Sequence, residues 1–498
     1  MNEQDYEQLT KDIEVIVEMA KANGLDFYPV HFEVVPASIM YEFGAYGIPG
    51  RFSHWTHGKA YNKMKMQYDF GLSIIYEMVI NTNPAYAFLL ENNSLTANRL
   101  VAAHVLGHVD FFKNNIYFQR TNRHMIETAS LNAERIRQYE YQHGSKKVEE
   151  FLDAVLSISE HIDPHQSFAT AGEESEGNRR EQVKPHVAES AYDDLWSLPG
   201  LPTEAEAAQQ AALPLKSEKE KEKEKKESER RRFPAQPEKD LLLFLQQHAR
   251  HLEDWQRDVI GIVHQEMLYF VPQMQTKIMN EGWAAYHHQS IMREFEMSSD
   301  DYTEYAKVNA GVMHHSRFQL NPYYLGLKLY ESIERRWDAP TEEERDRLKR
   351  VPGQGRAKIF EVREMDNDVS FLRNYLTKEL IAELDLYLYA KQGNEWVIVE
   401  KNWEKVRDGI VASMTNFGQP YITVDDGDYN RNHELYLRHH YEGQELDASY
   451  AEKVLQYIHQ LWGRPVHLET VVGDERILLS HDGSRAQRVS LGPNKVGR

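Results

Sequence analysis

Apolar residues recur every three to four positions along most of the chain, which is the spacing of amphipathic helices. One such stripe covers residues 4–22, and Ser94 stands where an N-cap residue would open another helix. The same spacing recurs through most of 59–162, 238–295 and 357–382. These stretches together predict a large, mainly helical fold.

From about residue 384 the pattern changes to short apolar or alternating runs separated by turn residues. The runs that predict strands are 386–389, 396–399, 421–424, 435–441, 466–472 and 476–480. Helical patterns at 402–414 and 447–461 lie between them. This mixture predicts a compact α+β domain with a small antiparallel sheet.

Residues 165–237 follow neither pattern, because they are rich in Glu, Ser, Gln, Lys and Pro. This composition predicts a linker that is disordered or forms a lone solvated helix. An aromatic island at 192–198 either docks onto its own fold or is a short partner-binding peptide. We therefore predict a zincin-like helical core domain formed by 1–164 and 238–383, with the linker inserted, and an α+β domain at 384–498.

Composition narrows the classes of function. The chain has 58 Lys and Arg against 78 Asp and Glu, and this net charge of −20 argues against nonspecific binding to nucleic acid or an anionic membrane surface. The absence of cysteine excludes disulfides, iron–sulfur clusters and thiol catalysis. The N-terminus lacks the apolar segment of a signal peptide, and no apolar run is long enough to span a bilayer. These features predict a cytoplasmic protein without a membrane span.

The most informative chemistry is a split set of metal-binding residue types. His104 and His108 are four residues apart, so they lie one turn apart on one face of a predicted helix. Glu281, in the run Asn-Glu-Gly-Trp-Ala at 280–284, is the candidate third ligand. Three protein ligands and an open position are the arrangement of a catalytic zinc site, although these donors also suit iron and manganese. The alternative interpretation is a pair of buried, hydrogen-bonded core histidines.

Several long stretches resemble a single family. They are residues 24–29, 43–55, 104–115, 277–284, 321–326 and 424–429. Through them the chain resembles the SpoVR (stage V sporulation protein R) family over nearly its whole length outside the linker. The resemblance implies a bacterial cytoplasmic protein linked in spore formers to sporulation and to formation of the spore cortex or coat. It also implies operation alongside a PrkA-type AAA+ serine kinase and a von Willebrand A-like protein.

The core motifs are also similar to those of helical gluzincin peptidases, which carry His-Glu-x-x-His on one helix and a glutamate ligand on a later one. That similarity implies that His104, His108 and Glu281 bind the metal ion, with zinc expected first. It further implies that a downstream loop polarises the substrate carbonyl or stabilises the oxyanion. His314, His315, Tyr323 and Tyr324 fall in the corresponding order here, and His314 and Tyr324 are predicted to take this role.

The similarity fails at one important position, since Val105 stands where those peptidases carry the glutamate that deprotonates the metal-bound water. Glu134 is predicted either as a substitute base or as a fourth ligand. His287 and His288 are candidates for further ligands, so a two-metal site also stays open. The aromatic, glycine-rich loop at 43–55 is predicted to shape the pocket.

Two hypotheses of different classes follow. The first is a metal-dependent enzyme acting on the amide or peptide bond of its substrate, by hydrolysis or by amide transfer. The second is a non-catalytic adaptor in a complex with the kinase and the von Willebrand A-like protein, in which the metal site is only structural. Val105 separates them, because an enzyme needs another carboxylate near the metal and a structural site needs a fourth ligand.

Overall fold

The computed structural model describes residues 1–69, 77–165, 232–315, 319–393 and 395–494. These residues group into two compact units. The first consists of Met1–Asp153 with Asp254–Pro420, and the second of Ala154–Glu253 with Tyr421–Arg498. Most of the predicted linker, including the aromatic island at 192–198, lies outside the described residues.

Helices form most of the described structure, as the sequence pattern predicts. In chain order they are Glu3–Ala22 (α1), Ala37–Tyr46 (α2), Trp55–Asp69 (α3), Leu95–Asn114 (α4), Met125–His143 (α5), Ser145–Leu156 (α6), Leu241–His248 (α7), Asp254–Gln275 (α8), Lys277–Glu294 (α9), Ser299–Val312 (α10), Pro322–Asp338 (α11), Glu342–Leu348 (α12), Gly355–Met365 (α13), Asp368–Tyr375 (α14), Lys378–Glu383 (α15), Trp403–Met414 (α16) and Ala448–Trp462 (α17). Within this part of the chain, no helix combines the length and apolarity needed to cross a bilayer.

The strands belong to three separate sheets. In chain order they are Val30–Val35 (β1), Glu77–Ile80 (β2), Ala85–Leu90 (β3), Leu388–Gln392 (β4), Glu395–Glu400 (β5), Ile422–Tyr429 (β6), Glu434–His439 (β7), Val466–Val472 (β8), Glu475–His481 (β9) and Ala486–Pro493 (β10). The sheet orders are β1-β3-β2, β4-β5 and β10-β9-β8-β7-β6.

Residues 59–162 are mainly helical, as predicted, but they also contain two strands that the sequence pattern did not predict. β2 and β3 lie within this range, and β1 pairs parallel to β3. Almost every residue of β3 is apolar and buried. An apolar run this short has no alternation, so its pattern cannot distinguish a buried strand from a piece of buried helix.

The sheet of the second unit is mixed, whereas the sequence pattern predicted an antiparallel one. β7 and β8 pair in parallel, and the other neighbouring strands pair antiparallel. The parallel pair requires a crossover, which α17 supplies. Asp447 caps the start of α17 and Gly463 ends it in the left-handed conformation. The buried face of α17 consists of Leu455, Ile458, Leu461 and Trp462.

The boundary of the first unit lies at Pro420. The hairpin β4–β5 and helix α16, which the sequence pattern assigned to the C-terminal domain, belong to this unit. Leu388, Val406 and Val411 contribute to its hydrophobic core.

Helix α4 lies at the centre of this core, because every residue from Thr96 to Phe112 is buried. It crosses α9 at a close contact, where a Cβ on Gly107 would lie 2.7 Å from Cα of Ala284. A Cβ on Gly282 would likewise overlap the backbone of Gly326 in α11. Glycine at these positions lets the three helix backbones approach closely. His108 directly follows Gly107 and Glu281 directly precedes Gly282, so both residues lie at these close contacts.

Candidate metal centre

Three donor atoms converge where α4 faces α9. Nε2 of His104 and Nε2 of His108 lie 3.6 and 3.4 Å from the same carboxylate oxygen, Oε2 of Glu281. The exposed fractions of the three side chains are 4%, 6% and 18%. All three donor atoms lie within 4.8 Å of one another, so the group could hold a metal ion.

The hydrogen bond of His108 fixes its tautomer. Nδ1 of His108 lies 2.9 Å from Oδ1 of Asn280, the residue directly before Glu281. Because an amide oxygen can only accept, Nδ1 carries the hydrogen and donates it. The lone pair of Nε2 is therefore free and faces Glu281, which is how protein imidazoles are prepared to ligate metals.

A longer chain of hydrogen bonds fixes the tautomer of His104. Its Nδ1 lies 2.9 Å from Nδ1 of His288, and Nε2 of His288 lies 2.9 Å from Oδ1 of Asn309. His288 therefore donates from Nε2 to the amide oxygen, and its Nδ1 is an acceptor when the ring is neutral. Nδ1 of His104 must then be the donor. Nε2 of His104 is left with a free lone pair, as Nε2 of His108 is.

Burial keeps the imidazoles of His108 and His288 neutral. It lowers the pKa of His108 to about 4, with a further contribution from the nearby His104, and it lowers the pKa of His288 to about 3. Burial alone would raise the pKa of Glu281, but the neighbouring histidines and the Tyr323 hydroxyl outweigh it, so this pKa lies below its usual value. Neutral imidazoles and an ionised carboxylate are the forms that bind a metal ion.

Two of the facing atoms have no hydrogen-bond partner among the described residues. Nε2 of His104 and Oε2 of Glu281 are both buried, and their separation of 3.6 Å exceeds a hydrogen bond. Two buried lone pairs that face each other repel, and leaving buried polar atoms unpaired is unfavourable. A cation bound between these atoms would satisfy both, so the donor set fits a metal ion.

The donor group opens into a cleft of about 530 Å³. The polar side of the cleft includes His108, Asn280, Glu281, Tyr323 and Lys277, and its apolar walls include Val79, Phe112, Met267, Phe270 and Met274. The ring of Tyr323 stacks on His104 with ring centroids 5.8 Å apart. The site is therefore open on one side and backed by packed helices on the other.

Comparison with known proteins decides the family. A model described as SpoVR like protein matches residues 3–419, and one described as SpoVR-like C-terminal domain matches residues 420–473. The chain belongs to the SpoVR family. The boundary between the two SpoVR models coincides with the boundary of the first unit at Pro420.

One relative among the curated proteins is named Uncharacterized protein YcgB, from Escherichia coli (strain K12). It is 28% identical over 478 residues, which cover 91% of this SpoVR-family chain and 89% of the relative. No solved structure matches the chain. The resemblance to the SpoVR family is thus confirmed, whereas the chemistry must be argued from the residues.

The structure brings the three predicted metal ligands of this SpoVR-family chain together but leaves Glu134 outside the group. Glu134 lies on an exposed face of α5, and its carboxylate pairs with Arg137 at 2.8 Å. A position on a predicted helix does not tell which way that helix is turned. Glu134 is therefore not a member of the donor group.

The predicted oxyanion residues are also placed elsewhere. His314 is exposed, and its backbone carbonyl accepts a hydrogen bond from Asn321. The ring of Tyr324 packs against His315, with centroids 5.2 Å apart. The neighbouring Tyr323 is the tyrosine that faces Glu281, because Asn321 caps α11 and sets the rotation of its first turn.

The aromatic loop at 43–55 lines a different cavity, of about 400 Å³, together with residues of α5. It contacts α8 through a buried ion pair in which Nε of Arg51 lies 2.7 Å from Oε2 of Glu266. Gly47 packs directly against the ring of Phe270, which lines the metal-site cleft. The loop thus supports one wall of the cleft from behind.

Sequence reasoning gave no role to Asn280 or Asn309, although both orient a candidate ligand. His288 was considered only as a ligand, and the structure places it behind His104 as a hydrogen-bond acceptor. The signal for His288 is its position seven residues after Glu281, two turns along the same helix face. Asn309 has no such signal, because its contact depends on how α10 packs.

Proposed function

We propose that this SpoVR-family protein is a metal-dependent enzyme that acts on amide or peptide bonds. The observation that carries the proposal is the set of three buried donor atoms, His104 Nε2, His108 Nε2 and Glu281 Oε2, which face one point beside an open cleft. We propose zinc as the ion, since two imidazoles, one carboxylate and an open position are typical of catalytic zinc; iron and manganese suit the same donors.

Each residue has a role in this proposal. When bound, the ion would supply Lewis acidity toward the carbonyl group of the substrate. Asn280 and His288 hold the two imidazoles in the ligating tautomer. Tyr323, whose hydroxyl interacts with Glu281, is positioned to donate a hydrogen bond to the carbonyl oxygen as negative charge develops there. It takes the role that the sequence pattern had given to Tyr324.

Amide transfer fits the cleft better than hydrolysis. Val105 is fully buried and offers no base. Asp110, two residues after His108, is also not available as a base. Its carboxylate accepts hydrogen bonds from the Trp283 indole at 2.8 Å and from the backbone N–H of Asp26 at 2.7 Å. Among the described residues that line the cleft, Glu281 is the only acidic one. A neutral amine, unlike water, need not lose a proton before it attacks the carbonyl carbon. The proton that it then releases passes to the nitrogen of the leaving amine as the original amide bond breaks, so transfer of an acyl group to an amine is the favoured reaction.

The second candidate is an adaptor in a complex with a PrkA-type kinase and a von Willebrand A-like protein. The same lack of a carboxylate base favours it. A structural zinc site, however, is normally closed by a fourth protein ligand. The donor group found in the described structure has three members and opens into a cleft, which favours the enzyme. A role in sporulation, which the family name suggests, is compatible with either candidate.

A product search tests the proposal. The zinc-loaded protein is incubated with a mixture of peptides, acyl-amides and primary amines, and new or lost amides are identified by mass spectrometry. We expect products that require the wild type and that disappear with Tyr323→Phe while metal content is kept. Full genetic complementation by a folded His104→Ala/His108→Ala variant would contradict the enzyme and support the adaptor.

A further inference from the structure

Lys277 lines the metal-site cleft but is not one of the candidate metal ligands. It is the first residue of α9 and stands four residues before Glu281, so both side chains leave the same face of the helix. The rise of a helix separates their Cα atoms by about 6 Å along the axis. Lys277 lines the cleft together with Glu281 and Tyr323. Its ammonium group can therefore reach a molecule held at the metal centre.

Folding alone does not account for a lysine at this position. A cation in the first turn of a helix is unfavourable, because the helix dipole is positive there. The Lys277 side chain is exposed, and within the described chain it makes no hydrogen bond or ion pair. The start of α9 is already stabilised by Asp368, whose two carboxylate oxygens accept from the backbone N–H groups of Ile278 and Met279 at 2.9 Å each.

The charges in the cleft favour an anionic ligand. Glu281 would neutralise only part of the charge of a divalent ion, and Lys277 adds a positive charge. The cleft is then positive in a chain whose net charge is −20. A carboxylate fits better than a phosphate, since Asp368 already occupies the N–H groups of Ile278 and Met279 that would otherwise bind phosphate oxygens. A single ammonium suits a carboxylate with one negative charge.

We propose that Lys277 binds a carboxylate of the substrate. The substrate is then an acyl compound whose free carboxylate lies a short carbon chain away from the carbonyl carbon that reacts, such as an amide of a dicarboxylic acid or of an acidic amino acid. This inference rests on the proposed function, because it takes the metal centre as the place where the carbonyl is bound. Lys277 then determines which substrate binds, and His104, His108 and Glu281 bind the metal ion.

Two metal-binding probes of equal length test the inference. Succinic acid monohydroxamate carries a carboxylate at one end, and pentanoyl hydroxamate carries an ethyl group in that place. Isothermal titration calorimetry measures the affinity of each probe for the zinc-loaded wild type, Lys277→Met and Lys63→Met. Lys63 is the matched control, because it is an exposed lysine on α3 that does not line the cleft. Elemental analysis of each protein shows whether the metal is retained.

We expect the wild type and Lys63→Met to prefer the carboxylated probe by about 10-fold, as a charge-assisted hydrogen bond would give. Lys277→Met should lose this preference and keep its affinity for the uncharged probe. If the wild type bound both probes equally, or if Lys277→Met kept the preference for the carboxylated probe, Lys277 would not bind the substrate carboxylate. The proposed metal-dependent function would be unaffected by that result. A wild type that retains no zinc, or binds neither probe, would instead overturn the proposed function and this inference with it.

Discussion

The first unit contains two clusters of buried histidines, and only one of them has the properties of a metal centre. His104 and His108 on α4 face Glu281. His54 and His57 lie at the start of α3, and Nε2 of His54 lies 3.2 Å from Oδ1 of Asp153. In both clusters the histidines are nearly inaccessible to solvent and a carboxylate lies within 4 Å of a ring nitrogen.

The clusters differ in what their polar atoms already contact. His54 Nε2 and His57 Nδ1 are also buried without a hydrogen-bond partner among the described residues, but the Asp153 oxygen nearest His54 already accepts a hydrogen bond from the Trp55 indole at 2.6 Å. Nδ1 of His54 contacts the Thr56 hydroxyl at 2.8 Å, and the His54 and His57 ring centroids are 6.1 Å apart, against 4.5 Å for His104 and His108. The difference teaches that buried histidines near a carboxylate are not sufficient. A metal centre needs converging lone pairs without other partners and hydrogen bonds that fix the tautomers.

The helices beneath the two clusters differ as well. A Cβ on Gly282, beside the candidate ligand Glu281, would overlap the backbone of Gly326, whereas a Cβ on Gly58, beside His57, would meet no atom within 4 Å. One cluster is therefore built on a tight helix crossing, and the other lies on a helix with space around it. Alanine substitutions of these two glycines test whether the tight helix crossing contributes to the stability of the protein.

The largest expected effect comes from Gly282→Ala. The new methyl group would overlap backbone atoms of α11, which cannot rotate away, so we expect a loss of stability of about 3 kcal/mol or more and a clear fall in the thermal unfolding midpoint. Gly58→Ala is the matched control and should leave the midpoint unchanged or raise it slightly, because alanine favours helix. Equal midpoints for the two variants would show that the crossing is not as tight as described.

Glu281→Gln tests the carboxylate of the metal centre. The amide keeps the size of the side chain but removes the anionic ligand, so we expect zinc affinity to fall by more than about 100-fold, beyond the effect of losing an outer hydrogen bond. Asp153→Asn makes the same change at the other cluster and should leave zinc affinity unchanged. Competition with a fluorescent chelator measures both. A similar loss of zinc affinity in Glu281→Gln and Asp153→Asn would contradict the claim that only the His104–His108 cluster binds zinc.

His288→Leu tests the hydrogen bond behind His104. Nδ1 of His104 would lose its acceptor and the ring its fixed tautomer, so we expect zinc affinity to fall by about 10- to 100-fold. His57→Leu removes a buried histidine from the other cluster and should not alter zinc affinity. Unchanged affinity in His288→Leu would mean that the tautomer of His104 needs no such support.

The smallest expected effect is a pH dependence of the His54–His57 cluster. Burial, with Arg51 and His54, lowers the pKa of His57 from 6.5 to about 4. The stability that depends on neutral His57 is therefore complete above pH 6.5 and is lost as the pH falls from there towards about 4. His57→Phe should lose about 1 kcal/mol less stability over this range than the wild type, after allowance for solvent screening of the charged ring. Thermal midpoints at several pH values measure it, with exposed His31→Phe as control; identical slopes in all three proteins would contradict it.

Sequence reasoning was most successful where one helix carries the information. The spacing of His104 and His108 predicted that they share one face of a helix. Ser94 was predicted to begin α4, and its side chain accepts a hydrogen bond from the backbone N–H of Ala97 at 3.1 Å. Glu281 came from a motif shared with other proteins. Features that depend on packing between elements were missed, such as the parallel pairing of β1 with β3.

The sequence could not place every residue around the candidate metal centre, for the same physical reason. Tyr323 and Tyr324 are adjacent, and only the rotation of α11 decides which one faces Glu281. Glu134 looked available because the sequence does not show which face of α5 is turned to solvent. Asn309 reaches His288 only through the packing of α10. Periodicity fixes the order of residues around one helix and not the orientation of that helix toward its neighbours.

The most direct test of the central claim is the metal content of the purified protein. Elemental mass spectrometry is applied to the wild type, to His104→Ala/His108→Ala and to His54→Ala/His57→Ala after incubation with zinc, iron or manganese. We expect near-stoichiometric metal in the wild type and in the His54/His57 variant, and its loss from the His104/His108 variant. A wild type that binds none of the three metals, or equal metal content in all three proteins, would contradict it.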